Sequence, residues 1–202
     1  MGLPSAPLEG GRPGADPQAQ TEVVVERCLA FLGGLTEPRV LDVGVGSGAI
    51  ALAIADEHDG AQVVAVDSSE QALSLARENQ ARAGVNGRVR LVRGDLLADV
   101  EGPFDLVVSN PPYVSPEEYK ALQPEIRLYE PYEAVVGVDI GAKVAAEARA
   151  LLVPGGRLVL ECGDGQAAGL AEALQSLGYR QVVETSDLAG RDRVVEGSWN
   201  GS

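Results

Sequence analysis

The chain has 202 residues, and 16 Lys and Arg stand against 30 Asp and Glu, so its formal net charge at pH 7 is −14. A chain of this length buries enough apolar surface to fold as one domain without disulfides or metal ions. The acidic balance argues against broad binding to the phosphate backbone of nucleic acids. One histidine and two cysteines argue against a zinc site or a disulfide framework.

No apolar run is long enough to span a membrane, and the N-terminus lacks a signal-peptide pattern, so we expect a cytoplasmic protein without a membrane partner. Residues 1–20 carry four prolines and four glycines, which predicts a flexible arm. Residues 21–202 are predicted to form the folded domain. Its first helix begins at Thr21, and Cys28 lies on the apolar stripe of that helix and is interpreted as a core residue.

After this helix, β-rich runs alternate with helical patterns, which is typical of an α/β protein whose parallel sheet is covered on both faces. The predicted strands are Arg39–Val43, Gln62–Val66, Arg88–Val92, Phe104–Val108 and Arg157–Glu161, and the predicted helices are Gly48–Glu57, Ser69–Ala83, Ile140–Leu152 and Gln166–Leu177. Two last strands, Tyr179–Glu184 and Arg193–Trp199, are separated by too few residues for a crossover helix. We expect them to be antiparallel.

A glycine-rich loop joins the first strand to the next helix. It contains Gly44, Gly46 and Gly48, and Asp42 lies just before these glycines. Glycines let a ligand approach the backbone, and the helix N-terminus offers free amides. The GxGxG spacing differs from the GxGxxG that usually holds a pyrophosphate, so it favours a ligand with a carboxylate, an amine and a ribose, whose ammonium group Asp42 is placed to meet.

Further acidic residues follow the next two strands. Asp67 is placed to accept hydrogen bonds from both hydroxyls of a ribose, and we include the adjacent Ser68 in the predicted cofactor site. Asp95 is placed to accept from an adenine amino group while Leu96 packs on the ring, although Asp95 alone is better explained as a helix cap or a solvated turn. Together with the glycine loop, these residues favour S-adenosylmethionine over NAD.

The fourth strand leads into Asn110, Pro111, Pro112 and Tyr113. Consecutive prolines fix the backbone, so the Asn110 side-chain oxygen and the Pro111 carbonyl form a rigid acceptor pair for the hydrogens of a planar amine or amide. Tyr113 offers a flat face for such a group. The alternative interpretation is a proline-rich turn without a chemical role. His58 lies in a polar turn, and we expect it at the surface rather than in catalysis.

The glycine loop, Asp67 and the Asn-Pro-Pro-Tyr sequence resemble those of class I S-adenosylmethionine-dependent methyltransferases that act on planar NH2 nitrogens. The segment 124–131, Pro-Glu-Ile-Arg-Leu-Tyr-Glu-Pro, is similar to the HemK/PrmC family of protein-(glutamine-N5) methyltransferases. The resemblance implies a Rossmann-like, seven-stranded, mostly parallel sheet with an antiparallel last strand. It also implies that the chain methylates the glutamine of the GGQ motif in peptide-chain release factors and leaves S-adenosylhomocysteine.

Two features depart from that family. Its bacterial members begin with a helical domain that helps to dock the release factor; this sequence has no counterpart, so we expect either a truncated chain or a short member that docks differently or with an accessory subunit. The family's Arg-Pro-Asp-Thr-Glu-like segment is interrupted here, between Arg12-Pro13 and Thr21-Glu22.

The sequence leaves three functions open: a protein-glutamine methyltransferase, a nucleic-acid methyltransferase acting on adenine N6 or guanine N2, and a non-catalytic subunit of a larger enzyme. The net charge counts against the second, and the intact Asn110 to Tyr113 sequence counts against the third. Residues 115–138 are predicted to form the rim that faces the protein substrate. Their acidic residues are interpreted either as a solvated face or as a surface for a basic substrate.

Overall fold

The computed structural model describes residues 17–85, 87–98, 100–112 and 140–201. Within these residues the helices are α1 (Pro17–Leu32), α2 (Ala49–Glu57), α3 (Glu70–Ala83), α4 (Ile140–Ala148) and α5 (Ala167–Ser176). The strands are β1 (Arg39–Val43), β2 (Gln62–Asp67), β3 (Val89–Arg93), β4 (Phe104–Ser109), β5 (Leu152–Glu161), β6 (Arg180–Ser186) and β7 (Asp192–Trp199). No helix in this part of the chain is long and apolar enough to cross a membrane.

All seven of the described strands form one sheet, in the order β3-β2-β1-β4-β5-β7-β6. Strand β1 pairs in parallel with both β2 and β4. Strand β7 pairs antiparallel with β5 and β6, which confirms the predicted antiparallel ending. Because the chain runs from β1 outward to β3 and then returns to β4, the strand order reverses between β1 and β4. In open α/β sheets ligands bind at such a reversal, outside the carboxyl ends of the strands.

Two apolar cores cover the opposite faces of this sheet. Helices α1, α2 and α3 pack on one face, where Val40 and Val108 are fully buried. Helices α4 and α5 pack on the other face against Leu41 and Val107. Neighbouring residues of a strand point to opposite faces, so Val40 and Leu41 enter different cores. Both faces of the central strands are therefore fixed by packing.

Helix α1 is attached to the sheet by an ion-pair network. The carboxylate of Glu196, on β7, is fully buried and lies 2.7 Å from the guanidinium of Arg27 and 2.8 Å from that of Arg157. The helix begins at Pro17 rather than at the predicted Thr21. A proline fits the first turn of a helix, because its missing N–H would have no partner there. The rest of the predicted arm lies outside the described residues.

Helix α4 and strand β5 differ from the predicted boundaries. The predicted helix Ile140–Leu152 ends at Ala148, and Leu152 instead begins β5 and pairs with Phe104. The register shifts directly after this pair. The Pro-Gly-Gly sequence that indicates a turn thus lies within the strand, as an irregularity of the kind that a β-bulge produces.

The ends of α3 agree with the sequence, whereas the position of His58 does not. Ser69 accepts a hydrogen bond from the backbone N–H of Ala72, and Gly84 ends the helix with a left-handed backbone. His58 is half-buried, and its Nε2 donates to the carbonyl oxygens of Leu32 and Leu35 at 3.2 and 3.1 Å. The predicted surface position of His58 was therefore wrong, because its ring joins the end of α1 to the turn after α2.

Candidate active site

The glycine-rich loop lies at the carboxyl end of β1, beside the reversal of strand order. Gly44 and Gly46 have positive φ angles of 77° and 52°, which favour glycine. The N–H of Gly44 donates to the carbonyl of Val66 at 2.8 Å, so the loop is attached to the end of β2. A Cβ atom built on either glycine has no heavy atom of the described residues within 4 Å. The loop thus leaves open space in which a ligand can approach the backbone.

Asp42 lies beneath this loop, and its side chain is 1% exposed. Its Oδ2 accepts a hydrogen bond from the N–H of Ala51, in the first turn of α2, at 3.1 Å. Its Oδ1 is buried and has no hydrogen-bond partner among the described residues. Burial raises the pKa of Asp42 from 3.8 to about 7, and the charge of Asp67 adds to this effect. An unpaired carboxylate oxygen in this position is suited to a ligand cation.

Asp67 ends β2 and is half-buried. Its Oδ2 accepts from the N–H of Gly46 at 3.0 Å, and its Oδ1 accepts from the N–H of Ser69 at 2.8 Å. These bonds hold the carboxylate between the glycine loop and the start of α3. Each oxygen keeps a second lone pair, so the carboxylate can still accept from a ligand hydroxyl. Ser68 is exposed beside it.

Asp95 and Leu96 follow β3 in a turn that is attached to the same edge. The N–H of Gly94 donates to the carbonyl of Asp67 at 3.1 Å. Asp95 is exposed, and its carbonyl accepts from the N–H of Ala98 at 3.2 Å. Leu96 is half-buried with a positive φ of 50° and packs against the core on the α4 and α5 face. The predicted acids, at the ends of β1 and β2 and just after β3, therefore lie at one edge of the sheet.

The predicted acceptor residues follow β4 at this same edge. Ser109, the last residue of β4, is 1% exposed and donates from its hydroxyl to the carbonyl of Val43 at 2.7 Å. Asn110 is exposed, Pro111 is buried and Pro112 is half-buried. Tyr113 lies outside the described residues. The structure thus places an exposed amide next to the end of β1, on a backbone that is fixed by the buried Ser109 and Pro111.

Sequence reasoning missed Glu161, which ends β5 and is 2% exposed. The side chain of Asn110 forms a hydrogen bond with Glu161. Burial raises the pKa of Glu161 from 4.5 to about 7, although the charge of Arg193 and the bond from Asn110 act in the opposite direction. The signal was available, because Glu161 follows a run of apolar residues at the end of a strand, as Asp42 and Asp67 do.

Comparison with known proteins agrees with the predicted fold and family. The family model described as methyltransferase small domain matches residues 21–126. The release factor glutamine methyltransferase of Deinococcus radiodurans is 43% identical over 183 residues, which cover 89% of this chain and 64% of the relative. The protein of the same name from Xylella fastidiosa strain 9a5c is 42% identical over 186 residues, which cover 90% of this chain and 67% of the relative. The chain belongs to the release factor glutamine methyltransferase family.

A solved structure of this family has the same fold. It is the release-factor-specific protein-(glutamine-N5) methyltransferase from Alicyclobacillus acidocaldarius, which is 30% identical, with a TM-score of 0.57. The match covers 95% of this chain and 99% of that chain. The predicted class I methyltransferase fold and the predicted family resemblance are thereby confirmed. The chain spans less than two thirds of the length of the first curated relatives, 64%, 65% and 52% for three of them.

Proposed function

We propose that this chain transfers a methyl group from S-adenosylmethionine to the side-chain amide nitrogen of a protein glutamine, in the GGQ motif of a peptide-chain release factor. The observation that carries this proposal is the exposed Asn110, followed by the buried Pro111, at the sheet edge that also holds Asp42, Asp67 and the glycine loop. The similarity to proteins named release factor glutamine methyltransferase supports this substrate over an adenine or guanine amino group.

The residues of the edge fit the parts of this cofactor. The unpaired Oδ1 of the buried Asp42 suits the ammonium of the methionine moiety. Asp67 suits the ribose hydroxyls, with Ser68 beside it, while Asp95 and Leu96 suit the adenine. The open face of Gly44 and Gly46 gives the methionine moiety room against the backbone, and Gly48 begins the turn into α2. When bound, S-adenosylmethionine supplies a methyl group that is activated by its sulfonium.

The chain contributes to the reaction by positioning the nitrogen. The Asn110 side-chain oxygen and the Pro111 carbonyl accept the two amide hydrogens of the substrate glutamine, while Pro112 fixes the backbone beyond them. Tyr113 lines the pocket in this proposal. Clamping both hydrogens would aim the nitrogen lone pair at the methyl carbon. The new nitrogen–carbon bond would replace the bond from that carbon to the sulfonium sulfur, which leaves S-adenosylhomocysteine, and the nitrogen would release one proton to water. Fixed dipoles and orientation, rather than a strong base, lower the barrier.

The partner in this proposal is a release factor, which places the reaction in the cytoplasm. The net charge of −14 favours a protein surface with basic residues over nucleic acid. An accessory subunit that helps to dock the substrate is part of the proposal. The predicted substrate-facing rim, residues 115–138, lies outside the described residues. Binding of the release factor should weaken as the salt concentration rises.

Labelled S-adenosylmethionine tests the proposal when it is offered with a release factor and with the same factor lacking the GGQ glutamine. We expect label only in the intact factor. Asn110→Ala should abolish labelling and leave cofactor affinity nearly unchanged by calorimetry. Asn200→Ala, an exposed asparagine after β7, serves as the matched control and should label normally. Equal labelling of both factors, or of neither, would overturn the substrate assignment.

A further inference from the structure

Glu161 is a buried acid beside the proposed acceptor residue. It ends β5, whose neighbour β4 ends at Ser109 opposite Leu160. The next residues along these strands are Asn110 and Glu161, and their side chains are hydrogen-bonded. Asn110 is exposed, whereas Glu161 is 2% exposed. The pair therefore links an exposed side chain, which faces the proposed substrate site, to a buried one.

The surroundings of Glu161 leave it incompletely paired. Its Oε2 is buried and has no hydrogen-bond partner among the described residues. The charge of Arg193, on β7, lowers the pKa of Glu161. Cys162, which follows the end of β5, stays neutral because burial raises the pKa of its thiol to about 12. Asp42, on the sheet face that also holds Val40 and Val108, has a raised pKa as well. The pKa of Glu161 itself lies at about 7 because of its burial.

The charge of Glu161 determines which end of the Asn110 amide faces the substrate. An ionised carboxylate only accepts hydrogen bonds, so it bonds the NH2 of Asn110. The Oδ1 of Asn110 then points away from Glu161 and is free to accept a substrate hydrogen. A protonated carboxyl also donates, and it can bond Oδ1 and remove that acceptor. The ionised state of Glu161 therefore favours the orientation in which Oδ1 of Asn110 faces the substrate.

We propose that Glu161 is a positioning residue that holds the Asn110 amide with its oxygen toward the substrate. The inference rests on the proposed function for its consequence in catalysis, but the contact itself exists without substrate. Glu161 does not touch the reacting atoms in this proposal and acts only through Asn110. Glutamine at this position both donates and accepts, so Glu161→Gln should fold and yet lose the single amide orientation.

The matched control is Glu196→Gln. Glu196 is likewise a fully buried glutamate on a strand next to β5, but its partners are Arg27 and Arg157. If burial and stability alone explain the effect of Glu161→Gln, then Glu196→Gln should have the same kinetic effect. If Glu161 orients Asn110, only Glu161→Gln should change turnover.

The first measurement needs no substrate. The Asn110 side-chain amide signals are identified in a 1H–15N NMR spectrum by their loss in Asn110→Ala, and are followed from pH 5.5 to 8.5. We expect them to shift with a midpoint near 7 in the unsubstituted protein and in Glu196→Gln, and not in Glu161→Gln. Asn110 signals that do not respond to pH, or that still respond in Glu161→Gln, would overturn the proposal.

The second measurement is turnover of the release factor at saturating cofactor, where the titration of Asp42 no longer affects cofactor binding. We expect kcat of the unsubstituted protein to rise through about pH 7 to a plateau. Glu161→Gln should lower kcat about tenfold or more on that plateau, with unchanged cofactor affinity and without this rise. Unchanged kcat in Glu161→Gln would overturn the positioning role. An unsubstituted protein that labels no release factor, with the NMR titration intact, would refute the proposed function and support the contact.

Discussion

The stability of Asp42→Asn relative to the unsubstituted protein should increase as the pH rises. Burial raises the pKa of Asp42 from 3.8 to about 7. Below about pH 4 the carboxyl is protonated in both the folded and the unfolded chain, so it affects stability little. Above that pH the unfolded chain loses the proton first, and the stability of the folded state falls until the pH passes about 7.

The size of this effect follows from the two pKa values. They correspond to a destabilisation of about 2 kcal/mol at pH 5 and about 4 kcal/mol at pH 8. Asparagine can still accept from the Ala51 N–H, but its NH2 group then replaces the unpaired Oδ1 and costs about 1–3 kcal/mol at every pH. The diagnostic quantity is therefore the change between the two pH values. The stability of Asp42→Asn relative to the unsubstituted protein should increase by about 2–3 kcal/mol.

Urea unfolding at pH 5 and pH 8 measures this change. Asp187→Asn provides a control of opposite sign, because backbone N–H groups and Arg191 lower the pKa of Asp187. Its carboxylate stabilises the folded state above the ordinary aspartate pKa of 3.8. Asp187→Asn should therefore destabilise the protein equally at pH 5 and pH 8, and less in a further measurement below that pKa. A stability difference for Asp42→Asn that is the same at both pH values would refute the desolvation argument.

Three further substitutions, one of them with a matched control, should change cofactor affinity or stability. Asp67→Ala removes the proposed ribose acceptor and the partner of the Gly46 N–H, and should weaken S-adenosylmethionine binding by about tenfold or more in calorimetry; unchanged affinity would reject the ribose assignment. Glu196→Gln leaves two guanidinium groups without their carboxylate and should lower the free energy of unfolding by about 2–4 kcal/mol. Gly60→Ala would place a Cβ 1.8 Å from the carbonyl oxygen of Thr36 and should cost at least about 2 kcal/mol, whereas Gly34→Ala, with nothing within 4 Å of its Cβ in the described residues, should cost far less. Equal thermal stability of these two glycine variants would contradict the clash.

Local sequence patterns predicted the elements that carry the cofactor side of the site. The bounds of β1 agree with the prediction at both ends, since Arg39–Val43 is a short β-rich run followed by glycines. The cap at Ser69 and the left-handed Gly84 were readable because both depend on neighbouring residues only. The acids at the ends of β1 and β2 and just after β3 were located for the same reason. A residue that follows a buried strand must lie at the end of that strand.

The predictions that failed involve contacts between distant parts of the chain. Leu152 continues a helical pattern locally, but its pairing with Phe104 places it in β5. His58 belongs to a polar turn by its neighbours, and only the end of α1 supplies the carbonyl groups that bind its ring. No local pattern specifies which strands pair with each other or which carbonyl groups a distant side chain contacts. Those contacts are decided when the sheet forms.

The α/β class, the family resemblance and the order of acids and prolines along the chain can be derived from the sequence. Which of these groups are buried, and what they contact, depends on the folded structure. The net charge of −14 argues against broad binding to nucleic acids, but it assigns no role to a single carboxylate. Asp42 and Glu161 differ from the other acids of the described residues because β1 and β5 hold them away from water with one oxygen unpaired. Desolvation depends on packing from all sides, and the linear sequence does not contain that information.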